Sequence, residues 1–221
     1  MSTEQPKHVA EPILPAEEPV VRNDKRIRSI MMWCSILLAA IVVGTIAYIY
    51  GYRQPAIASG NDAIGAADSE MIMGNDSVAL AMYEQVAADH GFAAGNRAAL
   101  QAAIILYDKG EYEKALGYLG DFSTSDEVIG ACAEGLKGDC LANLDRLADA
   151  SKAFKSAISK ADGNPVLTPY FLTKRAHILD AMGEYADAAA ANKTVETEYP
   201  NFGRQTAAES HRLKAESLAT K

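Results

Sequence analysis

The sequence predicts an all-α protein, a solenoid of helix hairpins preceded by a single transmembrane helix. Three observations carry that prediction. The 24 residues from Ser29 to Tyr52 contain no charge. The rest of the chain is rich in alanine and the whole is only 7% aromatic, which favours packed helices over a β-sandwich. Small residues, turn glycines and tyrosines recur there at a spacing near 36 residues, the mark of a repeat architecture.

Composition excludes several function classes. The 221 residues carry a net charge of −8, unevenly spread. Residues 1–53 hold six basic and five acidic side chains, and the remaining 168 hold 15 and 24. Nucleic-acid binding needs clustered Lys and Arg on phosphates, so no nucleic-acid partner is expected. Three cysteines and no Cys/His cluster exclude a disulfide scaffold and a zinc module.

Residues 1–28 hold four prolines (Pro6, Pro12, Pro15, Pro19) among acidic residues, and read as a disordered cytoplasmic tail. Residues 29–52 follow as the transmembrane helix. Its centre, IMMWCSILLAAIVVGTIAYIY, covers 21 positions, Ile30 to Tyr50, or roughly 31 Å at 1.5 Å per residue, the thickness of a bilayer core. Nine of these are Ile, Leu or Val, favouring insertion by roughly 3–5 kcal/mol. Trp33 at one end, with Tyr48, Tyr50 and Tyr52 at the other, suits the headgroup level. Arg22, Lys25, Arg26 and Arg28 precede the span and only Arg53 follows it closely. The positive-inside rule then places the N-terminus in the cytoplasm and the rest across the membrane, which in a bacterium means a single-pass inner-membrane protein with a periplasmic domain. Ala56-Ile57-Ala58 resembles a signal-peptidase site, although the apolar core is longer than a signal peptide's. Ala40, Gly44, Ala47 and Gly51 share one helix face, where a second transmembrane helix could approach closely.

Residues 53–72 are mostly Gly, Ala and polar residues with few large apolar ones, and read as a linker. From 73 to 221 helical periodicity takes over. Three segments, Ala98 to Leu119, Glu134 to Phe154 and Tyr170 to Pro200, align on their turns. Gly110, Asp145 and Gly183 share the turn position. Tyr112, Leu147 and Tyr185 come two residues later, and Ala115, Ala150 and Ala188 three further on. Twelve residues before those alanines lie Ala103, Gly138 and Ala176. The small pairs let two antiparallel helices approach closely, and the turn glycine supplies positive φ. A half-repeat precedes them, with Gly74, Ala79 and Tyr83 each 36 residues before Gly110, Ala115 and Leu119. Gln205 to Ala219, with alternating charges, reads as a capping helix.

From Gly74 to Pro200 this pattern resembles the tetratricopeptide (TPR) repeat. With the N-terminal span and the acidic repeat domain, the chain also resembles the YfgM-like ancillary subunits of the bacterial Sec translocon. The stretches LYDKGEYEKALGYLGDFSTSDEVIGA and NPVLTPYFLTKRAHILDAMGEYADA carry that likeness. The resemblance implies a non-enzymatic adaptor whose protein partners are translocon subunits, periplasmic chaperones and secreted clients. The alternative is a scaffold for assembling a cell-division or cell-wall complex.

No catalytic constellation is visible. His8, His90, His177 and His211 are scattered, and no phosphate loop, metal spacing or nucleophile elbow occurs, so no cofactor or metal is expected. Cys132 and Cys140, eight apart on one expected helix, are too distant to bridge. A TPR solenoid binds through the face lined by each repeat's first helix. The candidate groove positions are Arg97, Leu100, Ile104, Tyr107 and Asp108; Cys132, Gly135, Asp139 and Asn143; and Tyr170, Thr173, Lys174, His177 and Asp180. Their mixture of Ile, Leu, Tyr and scattered polar groups suits an extended polypeptide better than a charged ligand. Leu100 and Ile104 occupy the positions where carboxylate-clamping TPR domains carry Lys and Asn, so that clamp is not expected.

Overall fold

The computed structural model describes residues 24–89 and 91–220. The chain divides into two compact units, Met1–Gly51 and Tyr52–Lys221. Among the described residues the regular structure is entirely helical.

In the first unit, α1 runs Asp24–Tyr48. Its apolar side chains, Ile30 to Ile46, are all exposed, and it is long and apolar enough to cross a membrane. The Ser35 hydroxyl donates to the Met32 carbonyl (2.9 Å) and that of Thr45 to Ile41 (2.7 Å), so both polar groups are satisfied within the helix. A π-helical turn, Ile49–Arg53, follows. Residues 1–23 of the expected tail, with His8, lie outside the described residues, as does His90. Residues 24–28 depart from the expectation. They form the start of α1, since Lys and Arg are good helix formers and extend the apolar helix backwards.

The second unit is a stack of hairpins: α2 (Gln54–Ile72) with α3 (Asp76–Asp89), α4 (Phe92–Asp108) with α5 (Tyr112–Asp121), α6 (Glu127–Asn143) with α7 (Leu147–Ala161), and α8 (Leu167–Met182) with α9 (Tyr185–Glu198). Two short helices close it, α10 (Pro200–Gln205) and α11 (Ala208–Ala219).

The expected linker is corrected by this structure. Residues 54–72 form α2, which packs on α3 and α4. Pro55 sits in its first turn, and Gly60, Ile64 and Ala67 form one buried stripe. Few large apolar residues suffice because α2 lies against alanine-rich neighbours. The half-repeat is therefore a whole hairpin, with Ala67 standing twelve residues before Ala79, like Ala103, Gly138 and Ala176 before their partners. All seven alanines of these four pairs are fully buried.

The four hairpin turns share one hydrogen-bond pattern. In each, the first or second residue after the helix takes positive φ: Gly74 at 79°, Gly110 at 76°, Asp145 at 58° and Gly183 at 78°. The following amides donate back to Glu70, Leu106, Leu141 and Leu179 (2.8–2.9 Å), closing a Schellman motif each time. Asp145 holds the left-handed conformation with a side chain that pays a steric cost there. Asp145→Gly should therefore raise stability by about 0.5–1 kcal/mol, seen as a higher urea midpoint with an unchanged slope.

The core runs through the stack in patches, from Ile64, Tyr83 and Leu106 to Phe154 and Phe171, then Leu172 and Val195. The expected cap over Gln205 to Ala219 is broken at Ala207, whose φ is 53°. α11 buries Ala208 and Ala215 and packs on α9, where Arg212 bridges Glu196 (2.8 Å) and Glu216 (2.9 Å).

Candidate protein-binding face

Within the second unit the first helices of successive hairpins, α2, α4, α6 and α8, touch one another directly and form one wall of the stack. Bonds between hairpins cross that wall. Arg97 on α4 reaches Asp68 on α2 at 2.5 Å, and Asp68 also accepts from the Tyr83 hydroxyl at 2.6 Å. Burial, and then the hydrogen bond to that carboxylate, push the Tyr83 hydroxyl up to about 12.

Further along, five of the sequence-selected residues come together. Tyr107 on α4 lies beside Asn143 on α6 and within the field of Asp139 and Lys174. Its hydroxyl is raised above the ordinary tyrosine value, by burial first and then by Asp139. Asp139 on α6 binds Lys174 on α8 at 2.6 Å. The Lys174 ammonium lies 5.2 Å from the Tyr170 ring and 5.9 Å from that of Phe154. Burial opposes its charge, but the hydrogen bond and charge of Asp139, with Tyr170, outweigh burial and hold its pKa above the usual lysine value.

The other selected positions are distributed as follows. Leu100 and Ile104 are half-buried, and Leu100 packs on the first core patch. Asp108, Cys132, Asn143, Tyr170 and His177 are exposed. Thr173 is half-buried and donates to the Pro169 carbonyl at 3.0 Å. Gly135 is not a groove position: it is buried, and a Cβ there would enter the ring of Phe171. The thiols of Cys132 and Cys140 are both raised by burial, Cys140 to about 11, so both stay protonated at neutral pH. On α1, Ala40, Gly44 and Ala47 are exposed, and Gly51 falls in the π turn; a Cβ on Gly44 or Gly51 would meet nothing within 4 Å.

Asp68, Tyr83, Phe154 and His211 are not among the positions the sequence assigns to this face. For Asp68 the signal is present. Carrying the 36-residue offset back one hairpin from Ile104 lands on Asp68, the counterpart of Asp139 and His177. The others belong to outer or capping helices, and repeat alignment says nothing about which of their side chains reach inward.

The Asp139–Lys174 pair is less than a third exposed. Its net worth lies between a surface pair and a charged hydrogen bond in the interior. Lys174→Met should cost about 1 kcal/mol, and Asp139→Asn should cost little more once Lys174 is gone; a double-mutant cycle on chemical melts measures this.

His177 on α8 stacks near His211 on α11, ring centroids 5.2 Å apart. Burial, then His211, then Lys174 and Lys214 hold its pKa below the free-histidine value, against the pull of Asp180. The unfolded chain therefore binds the proton first. Neutral His177 contributes its stability fully above the free-histidine value, and that contribution is lost as pH falls through and below it. Acidification from neutrality should lower the melting temperature, and His177→Gln should blunt the decline.

A family model, the tetratricopeptide repeat-like domain, matches residues 59–178. The chain belongs to that family. The match begins inside α2 and so takes in the first hairpin. Among solved structures, a crystal structure of MamA protein is similar over 73% of this chain and 88% of that one, with 20% identity and a TM-score of 0.56. A second MamA structure covers 70% and 94%, at 20% identity and a TM-score of 0.52. At that identity the likeness is one of fold. No curated protein matches the chain. A fold of this family implies a protein–protein interaction module.

Proposed function

We propose that the protein is a membrane-anchored TPR adaptor, N-terminus cytoplasmic, whose repeat unit binds polypeptides on the periplasmic side of a bacterial inner membrane. The observation that carries the reading is the wall of inner helices. It presents Leu100, Ile104, Tyr107 and Tyr170 half-buried or exposed, on helices already cross-linked by Arg97–Asp68 and Lys174–Asp139. Helices tied to one another and carrying open apolar positions suit capture of an extended chain without rearrangement. The uncharged span of α1 supports anchoring, and the basic residues before it support the orientation. The resemblance to YfgM-like subunits supports a place beside the Sec translocon, passing secreted chains to chaperones.

Site-specific crosslinking in intact membranes tests this. Ile104→Glu and Tyr170→Glu should abolish crosslinks to translocating chains while circular dichroism is unchanged. Unchanged crosslinking in both variants would remove the groove from the function. The exposed small-residue stripe of α1 favours a second reading, a scaffold held by helix packing in the membrane. That reading requires Gly44→Leu to release partner subunits on affinity purification.

A further inference from the structure

The four inner helices together carry eight carboxylates and four cations. Three of the four cations are committed. Arg97 is held by Asp68 and Lys174 by Asp139. Lys137 binds Glu134 at 3.1 Å. Arg175 is half-exposed, makes no ion pair among the described residues, and its buried Nε has no hydrogen-bond partner. The carboxylates are not all committed. Among the described residues no ion pair engages Asp108, which follows Tyr107, or Asp180, which lies one turn beyond His177 on the same helix. One oxygen of Asp180 is buried with no hydrogen-bond partner.

The wall thus offers aliphatic and aromatic positions, two spare carboxylates at the ends of α4 and α8, and one unpaired cation, the half-exposed Arg175. With eight carboxylates against four cations on these helices, an acidic chain laid along it would meet a surface predominantly of its own sign. A chain bearing Lys or Arg among aliphatic residues would bury its apolar side chains on Leu100, Ile104 and Tyr170 and place its cations on Asp108 and Asp180. We propose that the inner face selects extended polypeptide segments in which basic residues are interspersed with aliphatic ones. This inference rests on the groove reading above and names the partner's chemistry.

The test uses the full chain in detergent micelles and three fluorescent peptides. They share their apolar residues and differ only in carrying two Lys, two Gln or two Glu. Anisotropy should show the Lys peptide bound about three- to tenfold more tightly than the Gln peptide, as two exposed ion pairs allow, and the Glu peptide most weakly. High salt should narrow the spread. Asp108→Asn/Asp180→Asn should erase the preference while the Gln peptide still binds. Asp187→Asn/Glu198→Gln, an equal charge change on α9, should leave it intact. Asp108→Asn alone, at an exposed site, serves if the double variant fails to fold. Equal binding of all three peptides would leave the groove reading standing and overturn the charge preference. Loss of preference in the α9 variant would overturn it too, by assigning it to the general field of an acidic protein. Binding of none of the peptides would overturn both.

Discussion

Gly138→Ala should destabilise the repeat unit, although alanine is the better helix former. A Cβ at Gly138 would lie 2.7 Å from Phe154 Cε1, with two further ring atoms inside 3 Å. Phe154 is 1% exposed and fixed in the core between α6, α7 and α8, so the ring has nowhere to move. Overpacking of that kind costs about 1–3 kcal/mol, against a gain in helix propensity of about 1 kcal/mol. Gly135→Ala meets the ring of buried Phe171 still more closely and should cost more. The double variant should lose most of the cooperative transition, since both rings belong to one core patch. Gly65 and Gly117 make the contrast. Each lies inside a helix, and a Cβ there meets nothing within 4 Å, so each change to alanine should stabilise by about 0.5–1 kcal/mol. Urea melts of the four single variants give the answer in sign as well as size. Stabilisation by Gly138→Ala would mean that α6 and α7 do not approach this closely.

The same glycines show what the sequence could and could not say. Gly138 was recognisable as a hairpin contact because it shares a register with Ala103 and Ala176. Gly135 has no such counterpart and was placed on the groove. Spacing gives the face of a helix, but only the position of α8 shows that Phe171 covers that face. The turns were legible for a local reason, since positive φ leaves a signature in glycine. At Asp145 the signature is missing, yet the hydrogen bonds are those of the glycine turns, so the tertiary pairing of α6 and α7 enforces a conformation the residue disfavours. At 53–72 a scarcity of large apolar residues hides a packed helix, because α2 needs only Gly60, Ile64 and Ala67 against its neighbours. Ala67, in register with Ala103, is the trace of it in the sequence.

For the candidate face, positions were legible and pairings were not. The sequence places Arg97 and Lys174 on the face without naming what they bind. Each is spent on a carboxylate 29 or 35 residues away. That matters for function because it removes two cations from what the face can offer a partner. It also makes the inter-hairpin bonds part of the solenoid's own cohesion, in which each repeat is stabilised by its neighbour.

Leu38→Arg/Val42→Arg should release the protein from the membrane, and is the second large effect expected. The apolar residues of the span favour insertion by roughly 3–5 kcal/mol, while each central Arg costs about 2.5–3.5 kcal/mol and removes an apolar contribution besides. The swing of about 6–8 kcal/mol exceeds the original gain. Leu38 and Val42 are 63% and 49% exposed on α1, so neither substitution disturbs packing within the described structure, and the repeat unit should keep its circular dichroism. Alkaline carbonate extraction reads the result. The parent should stay in the pellet and the variant should move to the supernatant. Retention of the variant would mean that something other than this helix holds the protein to the membrane. Orientation is separable by changing Arg22, Lys25, Arg26 and Arg28 to Asn. The span should then still insert, but without the basic residues on which the proposed N-inside orientation rests, and protease protection of a C-terminal tag in spheroplasts should rise. If the tag is protected in the parent as well, the repeat unit faces the cytoplasm and its partners must be sought there.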